Sequence, residues 1–175
     1  MKNKLLPIII VFGLIVVIVV VFISMSNVQN MVVRVDGNIN QQPLKIKLNH
    51  YQDSDCGMVI EDLKYSSQVV SPKGVTWFFH DHGGMVHWLS LHNFHNKEKI
   101  WVHSLDTLRW IDGKKAWYSR DEITPMNNGF GAYEHKKTNL INFEQMRLYM
   151  LRGETMSNPA IKKQLLKQKN SIQKN

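Results

Sequence analysis

Residues 5–23 contain no charged side chain, and no other stretch constrains the fold of this chain so strongly. As a helix rising ~1.5 Å per residue the run would be about 28 Å long. That is close to the ~30 Å thickness of a bilayer core. Pro7 and Gly13 would break a water-exposed helix, but Pro7 falls in the first turns and membrane helices tolerate both. The run is longer than the apolar region of most cleaved signal peptides, and the only small-x-small candidate after it is Ser24-Met25-Ser26. The expectation is an uncleaved transmembrane signal anchor over 5–23. Lys2 and Lys4 precede it and no basic residue follows before Arg34, which predicts a cytoplasmic end at 1–4. In a cell with two membranes this predicts a single-pass inner-membrane protein whose C-terminal domain lies in the periplasm.

An oxidising compartment normally pairs its cysteines, yet Cys56 is the only cysteine here. Its thiol must then be buried, joined to another chain or occupied by a metal. In an extended Cys56-Gly57-Met58 the thiolate and the thioether point to one side. Two soft sulfur donors select Cu(I) over harder ions. The alternative is a small core hydrophobe beside a gap-filling methionine.

Residues 24–54 read as a juxtamembrane spacer or hairpin, with strand-like Met31-Val32-Val33-Arg34-Val35 and a turn at Asp36-Gly37-Asn38. Residues 55–156 have the size of one compact domain. Strands are predicted at Met58-Val59-Ile60, Ser67-Gln68-Val69-Val70 and Val75-Thr76-Trp77-Phe78-Phe79. Gly83 and Gly84 follow, and then a helix over 85–94. Further strands fall at 99–105, 109–118 and 130–133, with a helix over 142–151. The order strand, strand, helix, strand occurs roughly twice. This predicts an α+β fold of two small ββαβ-like units behind the single N-terminal transmembrane helix. The tail at 157–175 is basic: residues 159–175 hold five lysines and no acid, five of the formal +8 charges. Nucleic acid is not expected as a partner of an exported domain. A tail of this kind suits an anionic membrane surface, or it is simply frayed and solvated.

His80, His82, His87, His92 and His95 lie within sixteen positions. In an extended His80-Asp81-His82 both imidazoles share a face, a candidate secondary pair for Cu(II) or Zn(II); the alternative is a set of surface or half-buried polar residues. The helical zinc-hydrolase signature and the Gly-x-Ser-x-Gly elbow are absent. Met126, between a proline and two asparagines, is poorly placed for packing and well placed to bring a thioether over a site. Cys56, Met58 and Met126 together would make a three-sulfur Cu(I) site.

Cys56-Gly57-Met58, residues 77–89 (WFFHDHGGMVHWL), Ala116-Trp117-Tyr118, Thr124-Pro125-Met126 and Gly129-Phe130-Gly131-Ala132 together resemble the NosL family, accessory proteins of nitrous oxide reductase. The resemblance implies a membrane-tethered, periplasmic Cu(I) chaperone without catalytic activity. Its partners would be nitrous oxide reductase or its ABC-type assembly complex, and its cargo would be destined for the copper–sulfide site. It also implies two ββαβ units related to organomercurial lyase, with copper held by Cys56, Met58 and Met126. Three features depart from the family. Its members are commonly lipoproteins, a more acidic segment is expected before the first glycines where this chain has His80 and His82, and Asn127-Asn128 stands where a glycine is expected after the methionine. A scaffold that assembles a copper enzyme without transferring metal is the competing reading. An organomercurial-lyase-like enzyme is a further one, but it relies on paired thiols that one cysteine cannot supply.

Overall fold

The computed structural model describes residues 5–25 and 31–172, with side chains described for 9–23 and 31–169. The chain divides into two units, Met1–Asn30 and Met31–Asn175.

The first unit carries α1 (Leu5–Met25). Its described side chains, residues 9–23, are apolar apart from Gly13 and exposed. Among the described residues no helix is long and apolar enough to cross a membrane. This corrects the expected transmembrane anchor at 5–23, and with it the single-pass inner-membrane location, the periplasmic placement and the membrane-tethered chaperone. Lys2 and Lys4, on which the orientation rested, lie outside the described residues.

The second unit is α+β. Its main sheet contains β1 (Arg34–Val35), β2 (Ser67–Val70), β3 (Thr76–Phe79), β4 (Lys99–His103) and β5 (Trp110–Asp112), in the spatial order β1-β3-β2-β4-β5. Every neighbouring pair is antiparallel. The β2–β3 hairpin closes through Ser71-Pro72-Lys73-Gly74, where Gly74 donates to the Ser71 carbonyl at 2.9 Å. Gly74 has φ +78 and a Cβ there would meet the Asn38 backbone at 2.8 Å, so the turn requires glycine.

Both faces of this sheet are covered, because successive β3 side chains point to opposite sides. Phe79 enters the larger core with Val69, Met85, Trp88, Ile100 and Val102, while Phe78 enters a smaller one with Ile46 and Ile60. Burying an aromatic or branched side chain of this kind contributes about 1.5–3 kcal/mol. The smaller core is roofed by Val32, Val35, Leu44 and Tyr51. Residues 31–54, expected as a spacer or hairpin, are therefore one wall of the folded unit.

The larger core is covered by α2 (His82–Ser90). Gly83 and Gly84 open this helix instead of separating it from the strand, and it ends at Ser90, short of the predicted 94. Asp81 supplies the N-cap, accepting from the Gly83 N–H at 2.7 Å. A Cβ at Gly83 would lie 2.5 Å from Asn128, so glycine allows the 124–129 turn to pack on the helix start.

The unit β2-β3-α2-β4 has the ββαβ order. The second half does not. Its three-stranded sheet, β6 (Trp117–Tyr118), β7 (Ala132–Tyr133) and β8 (Ile141–Asn142), has the order β7-β6-β8, and α3 (Phe143–Leu151) follows all three strands. The expected pair of ββαβ units is corrected to one ββαβ unit and one βββα unit. Tyr118, Phe130, Ala132, Phe143 and Met146 join the larger core, so the two sheets share one interior.

The tail forms α4 (Pro159–Ile172), capped by Asn158, whose Oδ1 accepts from the Ala160 N–H at 3.1 Å. Lys169 meets Asp121 at 3.0 Å.

Candidate metal centre

The site begins with a loop that a single carboxylate holds together. Gln52 and Val59 form an antiparallel bridge, and inside it the Asp53 N–H donates to the Met58 carbonyl at 2.8 Å. The Gly57 N–H returns to the Asp53 carbonyl at 3.0 Å. Gly57 takes φ +75, a conformation open to glycine at little steric cost. The Asp53 side chain turns back on its own loop, its Oδ1 accepting from the N–H of Asp55 (2.7 Å) and of Cys56 (3.1 Å).

Ser54 and Asp53 then attach this loop to the end of β3. The Ser54 N–H donates to the Phe78 carbonyl at 2.8 Å, and the Ser54 hydroxyl accepts from the Phe78 N–H at 3.3 Å. Asp53 Oδ2 accepts from the His80 N–H at 2.8 Å and lies 2.5 Å from His80 Nδ1. A second carboxylate, Asp55, reaches His87 on α2 at 2.8 Å. The imidazole of His80 is thereby fixed beside the thiol, with Cys56 Sγ 3.8 Å from Nδ1.

Asp53, Cys56 and His80 each offer a donor atom, and these atoms all lie within 4.8 Å of one another. Asp53 and His80 are buried and Cys56 is exposed. The cluster could coordinate a metal ion. Among the described residues it is the group of three or more His, Cys, Asp or Glu with that geometry. Burial raises the Asp53 carboxyl, but the His80 ring and the backbone N–H groups of His80, Asp55 and Cys56 outweigh it and hold the group below the usual carboxylate range. The Cys56 thiol is pushed up, first by burial and then by the carboxylates of Asp53 and Asp55, against a lowering from the Met58 backbone. It is therefore a protonated thiol at neutral pH until a cation displaces the proton.

Met58 lies at the other end of the loop, 43 % exposed. It lines a cleft of about 690 Å³ together with His80, Tyr65, Ile123, Thr124 and Pro125. The next residue, Met126, sits on a turn built by Thr124. The Thr124 hydroxyl accepts from the N–H of Asn128 (3.0 Å) and of Gly129 (3.2 Å). Asn127, where the family resemblance leads one to expect glycine, takes φ 54, a left-handed conformation that asparagine tolerates. Asp81, next to His80 in the chain, fixes this turn: its Oδ2 accepts from the Met126 N–H and its Oδ1 from Asn128 Nδ2, both at 3.0 Å. The Met58 loop, His80 and the turn before Met126 thus meet at one cleft, while the Cys56 and Met126 side chains flank it without lining it.

His80 and His82 part company. The strand ends at Phe79 and the helix starts at His82, so the extended geometry that would align them does not occur. His82 is fully buried, with Nδ1 2.9 Å from the Ser67 hydroxyl and its ring edge-on to Tyr118. Burial, with a smaller push from His103 and against the pull of Asp81, lowers its pKa to about 4.

Asp53 is the site residue that sequence reasoning missed. The available signal was an aspartate three residues before the cysteine and followed by a serine, the pattern of a carboxylate that caps its own turn. Its bond to His80 spans 27 residues and leaves no local trace.

No family model matches this chain, and no curated protein does.

Proposed function

We propose that the chain binds a single Cu(I) ion as cargo, through Cys56 with His80 beside it. The observation that carries this reading is the cluster itself: an exposed thiol and a buried imidazole that each offer a donor atom, within 4.8 Å of one another, over a loop folded by Asp53. A sulfur and nitrogen donor set suits a soft d¹⁰ ion. Met58, which lines the cleft with His80, and Met126, on the turn that follows Pro125, are both partly exposed and would supply further soft donors. The sequence resemblance to the NosL family supports copper as the ion. It also implies the partner that we propose, nitrous oxide reductase or its ABC-type assembly complex. No membrane tether enters this reading.

The residues fit cargo better than catalysis. Cys56 is the only cysteine, and its thiol is held up instead of down, the reverse of the activation a nucleophilic cysteine needs. An anaerobic titration of the full chain against a Cu(I)-specific chelator tests the reading. One equivalent of Cu(I) is expected, with binding lost in Cys56→Ser. X-ray absorption should show sulfur in the first coordination sphere. Failure to take Cu(I) from the chelator, or a shell of nitrogen and oxygen only, would overturn it and leave the metal-free scaffold.

A further inference from the structure

We infer that Asp53 is not itself a ligand but orients His80, so that its Nε2 is the nitrogen that meets the ion. This inference rests on the metal-binding reading above and names the atoms it uses.

A carboxylate has about four acceptor sites, two on each oxygen. In Asp53 all four are taken: Oδ1 by the N–H groups of Asp55 and Cys56, and Oδ2 by the N–H of His80 and by His80 Nδ1. A metal on either oxygen would have to displace one of these donors, and the His80 backbone N–H is buried with nowhere else to go. Asp53 is thus saturated by the fold before any ion arrives.

The same bond settles the imidazole. An ionised carboxylate only accepts, so the 2.5 Å contact places the His80 proton on Nδ1. In the neutral ring Nε2 is then the nitrogen with the lone pair. It is buried and has no hydrogen-bond partner, and the residue is only 7 % exposed. His80 lines the cleft that also holds Met58. An unpaired imidazole lone pair in a largely buried ring is a costly feature unless something occupies it. A carboxylate holding one ring nitrogen so that the other can bind a metal is a recurrent second-layer arrangement, and it raises the basicity of the binding nitrogen. Met58 in the same cleft gives that ion a soft second donor.

Silver(I), a redox-stable d¹⁰ probe, allows a direct test on the full chain labelled with ¹⁵N-histidine. Long-range ¹H–¹⁵N spectra identify the tautomer of each ring. Without metal, His80 is expected to carry its proton on Nδ1. On adding one equivalent of Ag(I), the Nε2 signal should move while Nδ1 keeps its proton. Asp53→Asn should weaken binding by about 10–100-fold, while X-ray absorption shows no loss of an oxygen neighbour. An Nε2–H tautomer in the metal-free protein would overturn the inference. So would Nδ1 losing its proton on loading, or an oxygen neighbour lost in Asp53→Asn, and each of these leaves the metal-binding reading standing. Failure of the wild-type chain to bind Ag(I) or Cu(I) at all would overturn both.

Discussion

Replacing Asp81 by alanine should cost about 2.5–5 kcal/mol and should release the turn that carries Met126. The carboxylate is fully buried and makes three hydrogen bonds. Its bond to the Gly83 N–H caps α2, and losing an aspartate cap costs ~1 kcal/mol. Asn128 is 7 % exposed, so its amide would be left unpaired in the interior. Stranding a buried donor costs ~1–3 kcal/mol. The Met126 N–H is partly buried and can recover water, adding about 0.5–1 kcal/mol. Asp81→Asn is a milder probe. One oxygen remains for the cap, but the amide nitrogen faces a donor, so the turn should loosen while α2 stays. Urea unfolding gives the stability change, and amide exchange at Met126 and Asn128 reports the turn. A loss below about 1 kcal/mol in Asp81→Ala, with both amides still protected, would refute the clamp.

Met126→Leu keeps volume and apolar character, so stability should change by less than ~1.5 kcal/mol. Cu(I) affinity should fall at least about tenfold if its thioether completes the site, or ~1.4 kcal/mol, read by chelator competition; unchanged affinity removes Met126 from the ligand set. Asp106 accepts from the Ser104 hydroxyl, from the Glu134 N–H at 2.9 Å, and from the His135 N–H and ring. Burial works to raise its carboxyl, but these donors hold it well below the usual range. Its stabilisation is therefore present above the unfolded pKa, about 3.9, and is lost as pH falls further. Urea midpoints of wild type and Asp106→Ala should differ at pH 7 and converge below about pH 4; a gap that widens there would contradict this. Truncation after Asn158 removes α4. Its anchors include the Lys169–Asp121 pair and the half-buried Ile161 and Leu165. The truncated chain should lose no more than about 1 kcal/mol and bind Cu(I) as before; a collapse of the thermal transition would show that the helix is part of the core.

Short-range features of this protein were legible in its residues. The hairpin between Val70 and Thr76 follows from a β-branched and aromatic pair of strands around Pro72-Lys73-Gly74. The start of α3 follows from Asn142 and Gln145, which cap each other reciprocally. Such elements are set by backbone preferences and turn chemistry acting within a few residues. The apolar run at 5–23 was equally plain, but among the described residues no helix is long and apolar enough to cross a membrane. The tertiary structure alone decided what meets at the site. Asp53 reaches His80 across 27 residues, Cys56 reaches it across 24, and Asp81 holds Met126 across 45. These meetings depend on strand register. A slip of one residue in β3 would exchange the faces of Phe78 and Phe79 and carry His80 about 3.3 Å away from the loop. Register is decided by burial on both faces of the sheet at once, with residues 31–54 closing one and α2 the other. No local pattern encodes that balance, and so Cys-x-Met and the candidate His80 were visible in the chain while the Asp53 carboxylate that joins His80 to the Cys56 loop was not.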